Sequence, residues 1–189
     1  MAHTPEHRPA ILTIGHSNHS WEVFLGLLLH HGIEMVADVR SAPASRWAPH
    51  FNKMRIEGSL ADLNISYLFL GDALGGRPKN KNLYDDQGKV VFSRIAETDL
   101  FIQGVDRLLA ESSRCRLAIM CGEGDPKDCH RRLLVGKALE GQGVQVIHIM
   151  ADGKAMPEVE LAKEERAIRT EQEDQLELLG GDGSEKKKT

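Results

Sequence analysis

The chain has few cysteines, few aromatic residues and no long apolar run. Its 189 residues include only three cysteines, which are too few and too clustered for the disulfide framework of a small secreted protein. No apolar run approaches the roughly 20 residues that span a bilayer, which excludes a membrane span and a membrane partner. Aromatic residues make up 5% of the chain, which gives little support for a surface that stacks nucleic-acid bases.

The chain also lacks an excess of positive charge. Its formal net charge is -4, and the segment from residue 158 onward holds ten acids against six bases, which leaves 18 of each sign before it. The overall charge therefore does not indicate a nucleic-acid partner. Residues 1–9 are polar and lack the apolar core of a secretory signal, so we expect a cytoplasmic protein.

Apolar segments that predict strands alternate with amphipathic segments that predict helices. The predicted strands cover 11–14, 33–39, 65–70, 117–121 and 144–150, and the predicted helices cover 21–29, 54–63, 95–109 and 131–139. This alternation predicts an α/β fold, a Rossmann-like three-layer domain with about five mainly parallel strands and helices on both faces. The polar, turn-rich residues 79–88 predict an exposed loop that can act as a lid.

Length and composition predict one folded domain with flanking segments. A chain of about 150 residues buries roughly 70% of its unfolded surface, enough for one core, which we place at residues 11–156. Residues 1–10 are predicted to be a flexible N-terminus and residues 157–179 a charged helix. The glycine-rich and lysine-rich residues 180–189 are predicted to be a disordered tail.

Polar side chains follow four of the predicted strands. These are His16 and Ser17 after the first strand, Asp38 and Arg40 at the end of the second, Arg77 after the third and residues 121–131 after the fourth. Ligands of open parallel sheets bind beyond the carboxyl ends of the strands. We therefore expect these side chains to share one rim of the sheet.

The stretch after the fourth strand carries the strongest candidates for chemistry. Cys129 lies near the start of a predicted helix and is followed by His130 and Arg131, and such an environment lowers the pKa of a thiol. This predicts a nucleophilic thiol at Cys129, with Cys121 as a second thiol. Burial of both cysteines for packing alone remains the alternative, and we expect only a packing role for Cys115.

A nucleophilic thiol needs a base and a group that orients the base. The candidate bases are His130 and His16, and the candidate orienting acids are Asp38 and Glu123.

A metal site is the second hypothesis for the same stretch. Its candidate ligands are Cys121, Cys129, His130 and His16. Seven residues separate the two cysteines, whereas zinc sites favour cysteine pairs about two to four residues apart. Adjacent side chains such as Cys129 and His130 also tend to point in different directions on a helix. We therefore assign no metal ligand and name no cofactor.

Arginines at the predicted rim suggest an anion site. The candidates are Arg40, Arg46, Arg77 and Arg131, with the hydroxyl group of Ser17. Guanidinium groups and backbone N–H groups suit phosphate or carboxylate, so we expect a small anionic ligand or a nucleotide, with a nucleic acid left open. A structural pairing of Arg40 with Asp38 or Glu123 is the alternative for that residue.

Four motifs in order along the chain resemble one known family. They are Thr13-Ile14-Gly15-His16-Ser17-Asn18; Asp38-Val39-Arg40-Ser41 with Pro43 and Ser45-Arg46; Leu74-Gly75-Gly76-Arg77; and Cys121-x-Glu123-x-Asp125-Pro126-x-x-Cys129-His130-Arg131. Together they are similar to the signatures of domain of unknown function 488, over about residues 11–153. The resemblance implies a single α/β domain with a site around the paired cysteines, and it carries over no established activity.

From the residues we predict an enzyme with a Cys/His/Arg site at the carboxyl ends of the strands. Its substrate would be a phosphate-like or nucleotide-like anion, and its class a thiol-dependent hydrolase or transferase. The alternatives are a binding module for a nucleic acid or small anion, without catalysis, and a metal-binding protein. The sequence does not predict the oligomeric state.

Overall fold

A computed structural model describes residues 10–180, which form one six-stranded sheet with helices. The strands are β1 (Ala10–Gly15), β2 (Met35–Asp38), β3 (Ser66–Phe69), β4 (Leu117–Cys121), β5 (Gln145–Ile149) and β6 (Ala155–Pro157). Their order in the sheet is β3-β2-β4-β1-β5-β6. The first five strands pair in parallel, and β6 pairs antiparallel with β5. The predicted α/β three-layer fold is confirmed.

Seven α-helices connect or follow the strands in residues 10–180. They are α1 (Trp21–His30), α2 (Lys53–Ala61), α3 (Gly71–Leu74), α4 (Phe92–Ala96), α5 (Asp99–Ser112), α6 (Lys137–Gly141) and α7 (Glu158–Gly180). Short 3-10 turns cover Pro49–Phe51 and Lys81–Leu83, and a π-helical turn covers Arg131–Gly136 directly before α6. None of these helices is long and apolar enough to cross a membrane.

The core lies in two layers, one on each face of the sheet. Side chains alternate between the faces of a strand, so Ile11 joins one buried cluster while Leu12 and Ile14 join the other. Phe24 of α1 and Ile56 of α2 belong to the cluster of Leu12, and side chains of α5 and α6 pack in the cluster of Ile11. Burial on both faces explains why β1 is almost entirely apolar, with Thr13 as its one polar side chain.

The observed elements differ from the predicted ones in three places. The helix predicted over 95–109 is two helices, because the Thr98 hydroxyl accepts a hydrogen bond from Phe101 N–H and caps α5 at its start. The short helix α3 directly after β3 was not predicted. The sixth strand, β6, was not predicted, since three residues are too few to show an alternating pattern.

The loop predicted over 79–88 contains ordered structure. It holds the 3-10 turn Lys81–Leu83, and Tyr84 forms an isolated antiparallel bridge with Val90. The guanidinium of Arg94 donates to the Tyr84 carbonyl at 2.6 Å, which fixes the base of the loop. Its use as a lid remains a prediction.

The chain ends lie largely outside the described residues. Of the predicted flexible N-terminus, only Ala10 is described, and it begins β1. Of the predicted disordered tail, only Gly180 is described, and it ends α7. The predicted charged helix corresponds to α7, which starts one residue later than predicted.

Candidate functional site

A cavity of about 580 Å³ opens at the carboxyl ends of the parallel strands, where open α/β sheets bind ligands. It is lined by His16, Arg40, Ser41, Ala42, Ala44, Ser45, Gly76, Arg77, Val90, Phe92, Cys121, Gly122, Glu123, Asp128 and His130. Segments that follow β1, β2, β3 and β4 all contribute to this wall.

The cavity brings together six of the predicted site residues, namely His16, Arg40, Arg77, Cys121, Glu123 and His130. Asp38, Cys129 and Arg131 are buried and do not line the cavity. Ser17 is half-buried beside His16 and is not part of the cavity wall. Arg46 is exposed, lies over the ring of Trp47 at 4.9 Å and does not line the cavity.

Two cysteines, a glutamate and a histidine meet at one end of the cavity, and we call them the Cys/Glu/His cluster. The Cys121 sulfur lies 2.8 Å from Oε2 of Glu123 and 3.5 Å from Nδ1 of His130. The Cys129 sulfur lies 3.2 Å from the same Oε2 atom. One donor atom from each of the four side chains lies within 4.8 Å of all the others. Cys129 and His130 both reach this cluster, although only His130 lines the cavity.

His130 is held in a defined orientation. Its Nε2 atom lies 3.0 Å from the Val39 carbonyl, which only accepts hydrogen bonds, so Nε2 carries a proton and Nδ1 faces the cluster. Gly76 packs on this ring so closely that an added Cβ would lie 2.7 Å from it. Only glycine fits there, which gives a physical reason for the Gly75-Gly76 pair.

Arg131 supports the loop that carries Glu123. Its buried guanidinium donates to the carbonyl of Glu123, and to the carbonyl of Gly124 at 2.8 Å. Gly15 packs against the same loop, and a Cβ there would overlap the Glu123 carbonyl. The predicted anion-binding role of Arg131 does not fit this position, because its side chain is fully buried, does not line the cavity and uses Nη1 and Nη2 on backbone carbonyls.

Arg40 and Asp38 form a buried ion pair beside the cavity. Nε and Nη2 of Arg40 donate to the two carboxylate oxygens of Asp38 at 2.9 and 2.6 Å, and Nη2 also donates to the Phe51 carbonyl. The Tyr67 hydroxyl donates to Asp38 at 2.6 Å. The structural pairing weighed for Arg40 is therefore present, although Arg40 also lines the cavity.

His16 is a neutral part of this network. Its ring stacks on Phe51 at 4.4 Å, Nδ1 donates to the Ser17 carbonyl and Nε2 accepts from Nη1 of Arg40. Burial, together with the nearby Arg40 cation, lowers the pKa of His16 to about 4. Because both nitrogens are engaged, His16 can act as a base only if Arg40 moves. It also lies outside the group of four neighbouring donor atoms.

The cluster sets the protonation of its own members. Burial opposes ionisation of Glu123, but hydrogen bonds from Cys121, the backbone and Cys129 outweigh it and lower the pKa of Glu123 to about 2. The hydrogen bond with Cys121 and burial raise the pKa of the Cys129 thiol well above its usual range. The lowered pKa predicted for Cys129 was therefore wrong, because a buried thiol beside another thiol and a carboxylate resists ionisation.

The family model described as domain of unknown function DUF488 matches residues 20–138. The chain belongs to the DUF488 family. Three of the four motifs that suggested this family lie inside the matched region, and the Gly15-His16-Ser17-Asn18 motif precedes it. No curated protein and no solved structure matches the chain.

Some residues of the site of this DUF488 protein gave no signal in the sequence. Tyr67 lies in a strand and looks like an ordinary sheet residue, yet it completes the hydrogen bonds of Asp38. Val90 and Phe92 complete the cavity wall from a segment that carries no motif. Ser41 belongs to a motif, and its hydroxyl accepts a hydrogen bond from the Arg77 backbone N–H at 2.9 Å, which joins two segments of the wall.

Proposed function

We propose that this DUF488 protein is an enzyme that binds a small phosphate-like or nucleotide-like anion in the cavity and acts on it through the Cys121 sulfur. The supporting observation is that Arg40, Arg77 and Cys121 line one cavity. Of the three cysteines, only Cys121 belongs to its wall.

Arginine side chains provide the anion-binding part of the cavity. Arg40 makes four side-chain hydrogen bonds within the protein, and a guanidinium has five N–H donors, so one N–H group on Nη1 can reach a ligand. Arg77 is exposed at the cavity, where its guanidinium can pair with a phosphate or carboxylate group in two-point fashion. The ion pair with Asp38 holds the guanidinium of Arg40. The hydrogen bond from the Arg77 backbone N–H to the Ser41 hydroxyl holds the backbone of Arg77.

Positive and negative side chains lie on different segments of the cavity wall. The arginines follow β2 and β3, whereas Cys121 ends β4 and the acids Glu123 and Asp128 follow it. An anion held by the arginines would therefore place its uncharged or electrophilic part toward the Cys121 sulfur. A sulfur reacts as the thiolate, which bonds to the electrophilic atom of the substrate and displaces the leaving group. Water or a second acceptor then takes the bound group from the sulfur, which gives hydrolysis or group transfer.

Substrate screening with a cysteine variant tests this proposal. Purified protein is assayed against phosphate monoesters, nucleotides and thioesters of small carboxylic acids. We expect turnover of one of these classes and a loss of at least about a hundredfold in Cys121→Ala. Cys115→Ala is the matched control, because Cys115 lies outside the cavity, and it should retain full activity. Arg77→Ala should raise KM more than it lowers kcat, since it removes binding rather than chemistry.

Two results would overturn the proposal. Equal turnover by Cys121→Ala and the wild-type protein would exclude the sulfur as the reacting group. Tight, salt-dependent binding of an anion without any product would instead identify a binding module.

A further inference from the structure

We propose that Cys121, Glu123, Cys129 and His130 together bind one divalent metal ion of the zinc type. The proposal stands on the four donor atoms of these side chains, which lie within 4.8 Å of one another. It does not depend on the identity of the substrate.

The distances between donor atoms suit a tetrahedral ion. Zinc bonds of about 2.3 Å to sulfur and about 2.0–2.1 Å to nitrogen or oxygen place neighbouring donor atoms roughly 3.3–3.8 Å apart. Three of the six separations in the cluster are 2.8 Å from Cys121 to Glu123, 3.2 Å from Cys129 to Glu123 and 3.5 Å from Cys121 to His130. The remaining separations are at most 4.8 Å, so shifts of up to about 1 Å would bring all four donor atoms around an ion. The ion would replace the two thiol protons that now bridge to Oε2 of Glu123.

The chemistry of the four donors selects the class of metal. Two thiolates and an imidazole favour zinc, iron(II) or cobalt(II), whereas calcium and magnesium take oxygen ligands. Two thiolates and the carboxylate carry three negative charges, which a divalent cation largely neutralises. Buried Arg131 adds one positive charge directly behind the Glu123 backbone.

The ligands are held by rigid elements and by outer contacts. Cys121 ends β4, and Cys129 and His130 directly precede the π-helical turn that continues into α6. The hydrogen bond from His130 to the Val39 carbonyl directs the Nδ1 lone pair to the cluster, and such contacts orient histidine ligands in metal sites. The loop between the cysteines is folded back by Arg131, so seven intervening residues span a short distance.

The position of the cluster connects the ion to the cavity. Cys121, Glu123 and His130 line the cavity, whereas Cys129 lies behind them. The ion would therefore face the cavity on one side and the core on the other. A thiol bound to zinc is deprotonated, so the ion would supply the Cys121 thiolate. This last step alone rests on the proposed function.

Metal binding is measured directly on the full-length protein. The protein is stripped with a chelator and titrated with cobalt(II), and zinc(II) is then added as a competitor. We expect one equivalent of cobalt, thiolate-to-cobalt charge-transfer absorption and the strong visible bands of a tetrahedral ion, all removed by zinc. Less than about 0.2 equivalents bound, or cobalt spectra without thiolate bands, would overturn the proposal.

Variants assign the ligands. Cys129→Ser and Glu123→Gln should each weaken cobalt affinity by at least about tenfold, since loss of even an outer contact costs about 10–100-fold. Cys115→Ser and Asp128→Asn are the matched controls, because Cys115 lies outside the cluster and Asp128 is an acid of the same loop. Glu123 is exposed, so its variant should stay folded even if Cys129→Ser does not. Unchanged affinity in both ligand variants would contradict the assignment.

Failure of the metal site and failure of the proposed enzyme are distinguishable. The spectra need no substrate, so a protein that binds cobalt as expected but turns over nothing retains the metal site and loses the proposed function. A metal-free protein that binds no cobalt and still acts through Cys121 loses the metal site alone.

Discussion

Asp38→Asn should destabilise the protein severely, although it only replaces one carboxylate oxygen by an NH2 group. Asp38 is fully buried, and its carboxylate accepts hydrogen bonds from Arg40 and Tyr67. An asparagine has nearly the same shape, but it carries no charge and has only one acceptor oxygen. The substitution would leave the buried guanidinium of Arg40 without its counter-charge.

The size of the effect follows from burial of both partners. The Asp38 side chain is 0% exposed and that of Arg40 is 8% exposed, so water cannot replace the lost partner. Breaking such a pair from one side costs about 3–5 kcal/mol. Asparagine keeps one acceptor, so we expect the lower end, about 3 kcal/mol. For a chain of this size, that corresponds to a decrease in Tm of roughly 6–12 °C.

Urea denaturation followed by circular dichroism measures the change, with thermal melting as a second readout. The control is Asp152→Asn, the same substitution in an exposed pair with Lys154. An exposed pair contributes about 0–1 kcal/mol, so the control should remain close to the wild type. If Asp38→Asn cost no more than the control, the buried pair would not stabilise the rim of the cavity, and the argument would fail.

Three further substitutions test the packing and electrostatics described above. Gly76→Ala should lower the free energy of unfolding by about 1–3 kcal/mol in urea denaturation and weaken cobalt binding, because the new Cβ would overlap the His130 ring. Gly141→Ala is the control, since a Cβ there meets open space and should cause no comparable loss. Burial opposes ionisation of Glu158, but its partners Arg132 and His148 outweigh burial and lower the pKa of Glu158. The ionised Glu158 therefore stabilises the folded protein fully above a pH of about 4.5, the ordinary pKa of a glutamate. This stabilisation is lost as the pH falls through the lowered pKa of the folded state. Melting between pH 7 and pH 3 should therefore show a larger loss for the wild type than for Glu158→Gln, and equal slopes would contradict this. Thr98→Ala should cost about 1 kcal/mol by removing the cap of α5, and a change below about 0.3 kcal/mol would show that the cap is not needed.

The sheet was predictable because its physical signal is strong. Strands buried on both faces are continuous apolar runs, and the four polar motifs fall where these runs end. Short elements carried no such signal. The strand β6 has three residues, and the division between α4 and α5 depends on one threonine hydroxyl group.

The sequence predicted most residues of the site, but it did not predict the contacts between them. The sequence places Cys121, Glu123 and His130 in one motif, but the folding of the loop between the cysteines depends on two hydrogen bonds from Arg131. The same loop folding makes Glu123, rather than His16, the fourth neighbour in the group of donor atoms. Spacing rules for metal ligands describe short loops and could not anticipate this arrangement.

The pKa of Cys129 shows a related limit. A helix start and neighbouring cations favour a thiolate when the thiol is open to solvent. The structure buries Cys129 behind Cys121, where an uncharged thiol is favoured instead. Burial is a property of tertiary packing, and a single sequence motif does not contain it.

The attachment of α7 has a practical consequence for labelling and fusion. Arg132, two residues after His130, pairs with Glu158 and Glu165 of α7 at 2.7 and 2.6 Å, and Leu161 is buried. A chain cut before residue 158 would leave the Arg132 guanidinium without both carboxylates, right beside the ligand-bearing turn. Residues 171–173 are exposed on the same helix, so a fluorophore or an affinity partner attached there would be carried by the domain without loosening it.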